Sequence, residues 1–209
     1  MDVIELDVFV LQTGELVVIH DILVDRTTNG TGYVGRYSFE DLRKLDAGKG
    51  QQVPTLGEVI ELIDRRIPIM IELKAPDTGR PVAELLNAYL AKGWQPKDFE
   101  VISFIHQEVM IFRDTCPSVP IGLSLAGIPI DYCQFAKSAG ANSVMLCTEF
   151  LSPEFIKDAH DNGITVNGYT WEPYTADTKH EIERIQATGI DGFASDRPDL
   201  ARSHLKLAH

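Results

Sequence analysis

Two short runs of the chain carry carboxylates that an apolar strand would not need. In DVIELDV, residues 2–8, side chains alternate across a strand, so Val3, Glu5 and Asp7 share one face while Ile4, Leu6 and Val8 make an apolar one. IPIMIELK, residues 67–74, repeats the design, with Ile67, Ile69, Ile71 and Leu73 on one face and Pro68, Met70, Glu72 and Lys74 on the other. On that second face charge enters only toward the C-terminal end. Carboxylates gathered in a partly dehydrated pocket repel one another and resist ionising. A hard divalent cation, Mg²⁺ or Ca²⁺, removes both difficulties: Glu5, Asp7 and Glu72 supply oxygen ligands and leave positions open for water or a substrate oxygen. Plainer readings compete. Glu5 and Asp7 would face solvent on an amphipathic edge strand, and Glu72 would simply pair with Lys74 on its own face.

A third run bears an imidazole. GELVVIHD follows a Thr13-Gly14 turn and ends in His20 and Asp21. Leu16, Val18 and His20 share a face, and the short turn folds the segment back beside the strand of Glu5 and Asp7, bringing imidazole toward carboxylates. An imidazole near a cation and a lysine is suited to moving one proton in phosphoryl or acyl chemistry at neutral pH.

The elements that must hold these groups alternate regularly. Strands are predicted at residues 67–74, 100–104, 120–126, 143–147, 165–170 and 192–195, with helices at 81–92, 107–114, 131–139, 153–162, 179–187 and 198–207. Strands separated by single helices imply a parallel sheet with right-handed crossovers, either open and doubly wound or closed as a (β/α) barrel. Barrel strands are apolar toward their helices and turn polar inside only at the top, where active sites gather, and the two charged runs fit that plan. A full eight-unit barrel takes about 250 residues. At 209 residues the chain reads as a single domain over 1–209 that is one βα unit short. GTGYVG at residues 30–35 satisfies the spacing of a dinucleotide fingerprint but lacks the strand before it and the helix on it, since the next helix has its own predicted capping box at Ser38 and Asp41.

Bulk properties narrow the partners. A formal charge of −12 with no dense run of Lys or Arg argues against nucleic acid, and an anionic substrate would need a positioned cation. Cys116, Cys133 and Cys147 lack zinc-site spacing and read as reduced core residues. No apolar run is long enough to span a membrane and the chain opens without a signal-peptide pattern, so the expected location is the cytoplasm.

The succession DVIELDV, GELVVIHD, DRTTNGTGYV, LRKLDAG, VPTLGEVIELI, IPIMIELK, VISF and GIDGFASDRPD closely resembles the glycerophosphodiester phosphodiesterase family, in order over nearly the whole chain. The resemblance implies a TIM (β/α)8-type barrel and a metal-dependent phosphoric diester hydrolase. Such an enzyme splits small-molecule glycerophosphodiesters into an alcohol and glycerol 3-phosphate. It implies Glu5, Asp7 and Glu72 as ligands of Mg²⁺ or Ca²⁺, His20 as a catalytic histidine and Lys74 as the lysine that meets the phosphate. Tyr169, followed by Thr170, stands where the family commonly has Trp-Thr and becomes a candidate substrate contact, with Trp171 expected on the opposite face. Family members begin with a strand ending in His-Arg-Gly and a helix opening near Glu-Asn-Thr, which this sequence does not contain. The resemblance therefore implies a barrel lacking its first βα unit, with the family's general base and a phosphate clamp missing. Such a chain is expected to be poorly active and to form homo-oligomers through the exposed edges of its first and last strands. The competing functions are a non-catalytic cation- and phosphodiester-binding barrel domain, and an enolising barrel enzyme with Lys74 as its base.

Overall fold

The structure, a computed structural model, describes residues 2–170 and 178–205. Trp171 and the predicted end of the last helix at 206–207 lie outside the described residues. The chain divides into two compact units, Asp2–Pro120 and Ile121–His209.

In the first unit, β1 (Ile4–Val10) and β2 (Leu16–Val18) are followed by α1 (Phe39–Leu42), α2 (Leu56–Ile63) and β3 (Ile69–Leu73). Then come α3 (Gly79–Ala91), β4 (Phe99–Ser103) and α4 (His106–Thr115). Strands lie in the order β2-β1-β3-β4, with β2 antiparallel and the rest parallel. Leu6 and Val8 of β1 and Ile69, Ile71 and Leu73 of β3 are buried, as the apolar faces require. The expected return of GELVVIHD beside the first strand is present, with Val8 opposite Val18 and Val10 opposite Leu16. The expected open first edge is accordingly paired at its C-terminal end, over Val8–Val10, while the acidic stretch from Glu5 to Asp7 lies in register with β3.

The long connection from β2 to α2 folds over its own apolar cluster, in which Phe9, Val17, Ile19, Val24, Val34 and Leu42 are buried. The glycine-rich stretch belongs to this connection. Its Thr31 hydroxyl (2.6 Å) and Gly32 N–H (2.8 Å) donate to the Asp25 carboxylate; only a three-residue 3₁₀ turn, Val34–Arg36, begins among the glycines, and the α-helix α1 starts separately after Ser38. The Ser38 cap forms by half: its hydroxyl accepts from Asp41 N–H at 3.1 Å, but the Asp41 carboxylate takes the Ser38 hydroxyl instead of the backbone N–H. The full reciprocal box is at α2, where Thr55 Oγ accepts from Glu58 N–H and Glu58 accepts from Thr55 N–H. Thr55→Ala should cost about 1 kcal/mol in a denaturant melt, the usual loss for such a cap.

A buried carboxylate ties α4 to the start of α3. Glu108 is 6% exposed and accepts from the N–H groups of Asp77 (3.0 Å) and Gly79 (2.8 Å), which open the helix after β3. A Cβ on Gly79 would lie 2.4 Å from the Glu108 carbonyl oxygen, so only glycine fits. Glu108→Ala strands both donors and should destabilise the fold by about 3 kcal/mol, roughly 6–12 °C in a thermal melt.

The second unit continues as β5 (Ile121–Leu125), α5 (Gln134–Ala139), β6 (Ser143–Cys147), α6 (Pro153–Asp161) and β7 (Thr165–Tyr169). It ends with α7 (Lys179–Ala187), β8 (Gly192–Phe193) and α8 (Pro198–His204). Its strands are parallel in the order β5-β6-β7-β8. The helix signals hold: Ser152 caps α6 ahead of Pro153, and Gly140 ends α5 at φ +66°, a left-handed angle that suits glycine. In the second unit the strand order does not reverse, and in the first the change of direction at β1 is made by the antiparallel hairpin strand β2, not by a parallel crossover strand as in a doubly wound sheet. Cys116, Cys133 and Cys147 are buried free thiols, and among the described residues no helix is long and apolar enough to cross a membrane.

Candidate active site

The site is set by one register. β1 and β3 run parallel with Asp7 directly beside Glu72, and Glu5 lies two residues before Asp7 on the same face. Neighbouring strands are about 4.8 Å apart. Side chains in register therefore converge, and Glu5, Asp7 and Glu72 each offer an oxygen within 4.8 Å of the others. Asp7 and Glu72 are 9% exposed and Glu5 is open to solvent, so the cluster has a buried floor and an accessible rim. These groups could hold a hard cation: the donors are all oxygen, two are withdrawn from water, and one side is open.

Lys74 follows β3 directly. Its Nζ is 3.0 Å from Glu72 and 3.3 Å from Asp7, so the Glu72–Lys74 pair of the plainer reading is present, but with Asp7 joined to it. Burial pushes the Glu72 carboxyl above its ordinary range, against the pull of the Lys74 charge. Burial works against the Lys74 ammonium too, yet Glu72 and Asp7 outweigh it and raise the lysine's pKa. Two acids sharing one ammonium leave a negative excess, the condition that favours a second positive charge. The end of β3 is pinned from below by Ser103, a buried residue whose hydroxyl donates to the Leu73 carbonyl at 2.6 Å and accepts from Ile105 N–H at 2.8 Å.

His20 reaches this region through its backbone. Ile19 N–H donates to the Asp7 carbonyl at 3.1 Å and the Ile19 side chain is buried, which fixes the chain one residue before the imidazole. A positive charge on His20 would lower the Glu72 pKa, so the ring is within electrostatic range of the cluster. The ring is exposed, and its Nδ1 lies 2.5 Å from Asp21 Oδ1. Asp21 in turn accepts two bonds from Arg26, at 2.5 Å from Nε and 2.9 Å from the terminal nitrogen. These two residues, and Ser103, are missing from the sequence-derived site; the adjacent His20-Asp21 step was the visible signal for Asp21, while Arg26 and Ser103 carried none. Tyr169, in the second unit, ends β7 and donates its hydroxyl to the Leu125 carbonyl at 3.0 Å. The structure thus gathers Glu5, Asp7, Glu72 and Lys74, with His20 adjoining.

Residues 1–200 match the model of the glycerophosphoryl diester phosphodiesterase family. The chain belongs to that family. Its members include a glycerophosphodiester phosphodiesterase of Caldanaerobacter subterraneus that is 34% identical over 95% of this chain and 83% of its own length. Among solved structures, a glycerophosphodiester phosphodiesterase from Agrobacterium tumefaciens is 28% identical, with a TM-score of 0.78 over 97% of this chain and 87% of that one. A phosphodiesterase of Oleispira antarctica, solved with the product sn-glycerol-3-phosphate, superimposes with a TM-score of 0.86 over 98% of this chain and 85% of that one, at 22% identity. The fold is the TIM-barrel type of the glycerophosphoryl diester phosphodiesterases, which decides against the doubly wound alternative. As a member, the chain is a phosphoric diester hydrolase acting on glycerophosphodiesters.

Proposed function

We propose that the chain hydrolyses glycerophosphodiesters to an alcohol and glycerol 3-phosphate with the help of one divalent cation, Mg²⁺ or Ca²⁺, held by Glu5, Asp7 and Glu72. The observation that carries this reading is the convergence of those carboxylates around Lys74 on the two adjacent strand ends. When bound, the cation would offset negative charge on the phosphoryl group. Lys74 supplies a second, fixed positive charge for a non-bridging oxygen. His20 gives a proton to the departing alcohol oxygen, whose bond to phosphorus breaks as the neighbouring glycerol hydroxyl, its proton passing to solvent, forms the new one, and water then opens the resulting cyclic phosphate to glycerol 3-phosphate. Tyr169 is the proposed substrate contact in the second unit, through its ring, because its hydroxyl is engaged by Leu125. The product seen in the Oleispira relative supports the same substrate class here.

The test is release of glycerol 3-phosphate from glycerophosphocholine with added Mg²⁺ or Ca²⁺. Release is expected to stop with a chelator, to return with the cation, and to fall by about 10²-fold or more in His20→Ala. Equal release by His20→Ala, or release indifferent to the chelator, would rule the reading out.

A further inference from the structure

We infer that Asp21, clamped by Arg26, is a positioning residue that keeps His20 in the form able to protonate the leaving alcohol; the inference rests on the proton-donor role proposed for His20. A carboxylate has no proton to give, so the 2.5 Å contact requires His20 Nδ1 to donate to Asp21 Oδ1. Nδ1 thereby keeps its hydrogen throughout, and Nε2 becomes the nitrogen that gains and loses the reacting proton. A half-buried aspartate without such partners would ordinarily swing among rotamers. Here both carboxylate oxygens are taken by Arg26, Oδ2 by Nε and Oδ1 by the terminal nitrogen, a two-point grip that fixes the carboxylate plane and with it the ring. The Arg26 bonds, and then the His20 bond, hold the Asp21 carboxyl well below the usual carboxylate range, so the acceptor stays ionised at any pH at which the enzyme works. The backbone is equally determined: Ile19 is tied to Asp7 on one side, and Val24 N–H donates to Gly32 on the other. The grip and the ring therefore sit on a fixed stretch of chain.

The reading separates from a merely structural role through the leaving group. A choline-type alcohol leaves poorly as an anion and needs the proton; p-nitrophenol leaves readily without it. Asp21→Asn is expected to lower kcat on glycerophosphocholine by about 10- to 100-fold, while release from glycerophospho-p-nitrophenol stays within about twofold. Arg26→Gln, which keeps the acceptor and loosens the grip, should show the same selectivity at smaller size. In a His20→Ala background Asp21→Asn should cost nothing further, because the group it orients is gone. Equal losses on both substrates, or an additional loss on top of His20→Ala, would overturn the inference. If His20→Ala is itself blind to the leaving group, the proton-donor role falls and this inference with it. If His20→Ala discriminates and Asp21→Asn does not, only the positioning role fails.

Discussion

Glu72→Gln should cut turnover of a glycerophosphodiester by about a thousandfold, roughly 4 kcal/mol of transition-state stabilisation, while leaving the chain folded. Glutamine keeps the size and one acceptor oxygen of the side chain but removes its charge from the centre of the cluster, where Glu72 is in register with Asp7 and in contact with Lys74. On the proposed reading the cation has three carboxylate ligands and no spare ligand charge to lose. Stability gives an independent reading of the same change. A cation at about 100 times its dissociation constant adds about 2.7 kcal/mol to a fold that binds it, or roughly 5–11 °C for a chain of this size. That rise should appear in thermal melts of the wild type on adding Mg²⁺ or Ca²⁺ and should be absent from Glu72→Gln.

Lys74→Met should do something different, because the proposed reading gives the lysine a part in the chemistry as well as its ion pairs in the fold. Its ammonium is the cation 3.0 Å from Glu72 and 3.3 Å from Asp7, and all these side chains are largely buried. Removing one partner of a buried ionic group typically costs about 3–5 kcal/mol, since the remaining charges are left uncompensated. The cation-free variant is therefore expected to melt well below the wild type. A divalent cation supplies the missing charge to the carboxylates, so much of that loss should be recovered on adding it. Turnover should not recover: the fixed charge proposed to meet the phosphate is gone, at a cost of about 10²- to 10³-fold in kcat. Recovery of stability without recovery of rate is the signature expected of Lys74, and melts paired with assays of glycerol 3-phosphate release would read it.

The parts of this site that were legible in the sequence are those governed by local alternation. A period of two puts Glu5 with Asp7 and Glu72 with Lys74, and the late onset of charge along each run marks the strand ends where polar groups gather. The Thr13-Gly14 turn likewise announces the return of β2. The register that sets Asp7 beside Glu72 is a different matter, because it joins strands far apart in the chain and depends on how their apolar faces settle. Ser103 and Glu108 were illegible for a related reason: each looks like an ordinary surface residue until the N–H and carbonyl groups it serves arrive from other elements. Arg26 belongs to the same class, its role visible only once the loop brings it back onto Asp21. The box at Thr55 and Glu58, by contrast, is written plainly as Thr-x-x-Glu and could have been read in advance.

Calorimetric titration of the purified, chelator-treated chain with Mg²⁺, and separately with Ca²⁺, addresses the carboxylate cluster most directly. One ion should bind per chain, and Asp7→Asn and Glu72→Gln should each weaken that binding by at least about 30-fold, some 2 kcal/mol. Undiminished binding of both ions by the Asp7→Asn, Glu72→Gln double variant would contradict the assignment of these residues as the cation's ligands.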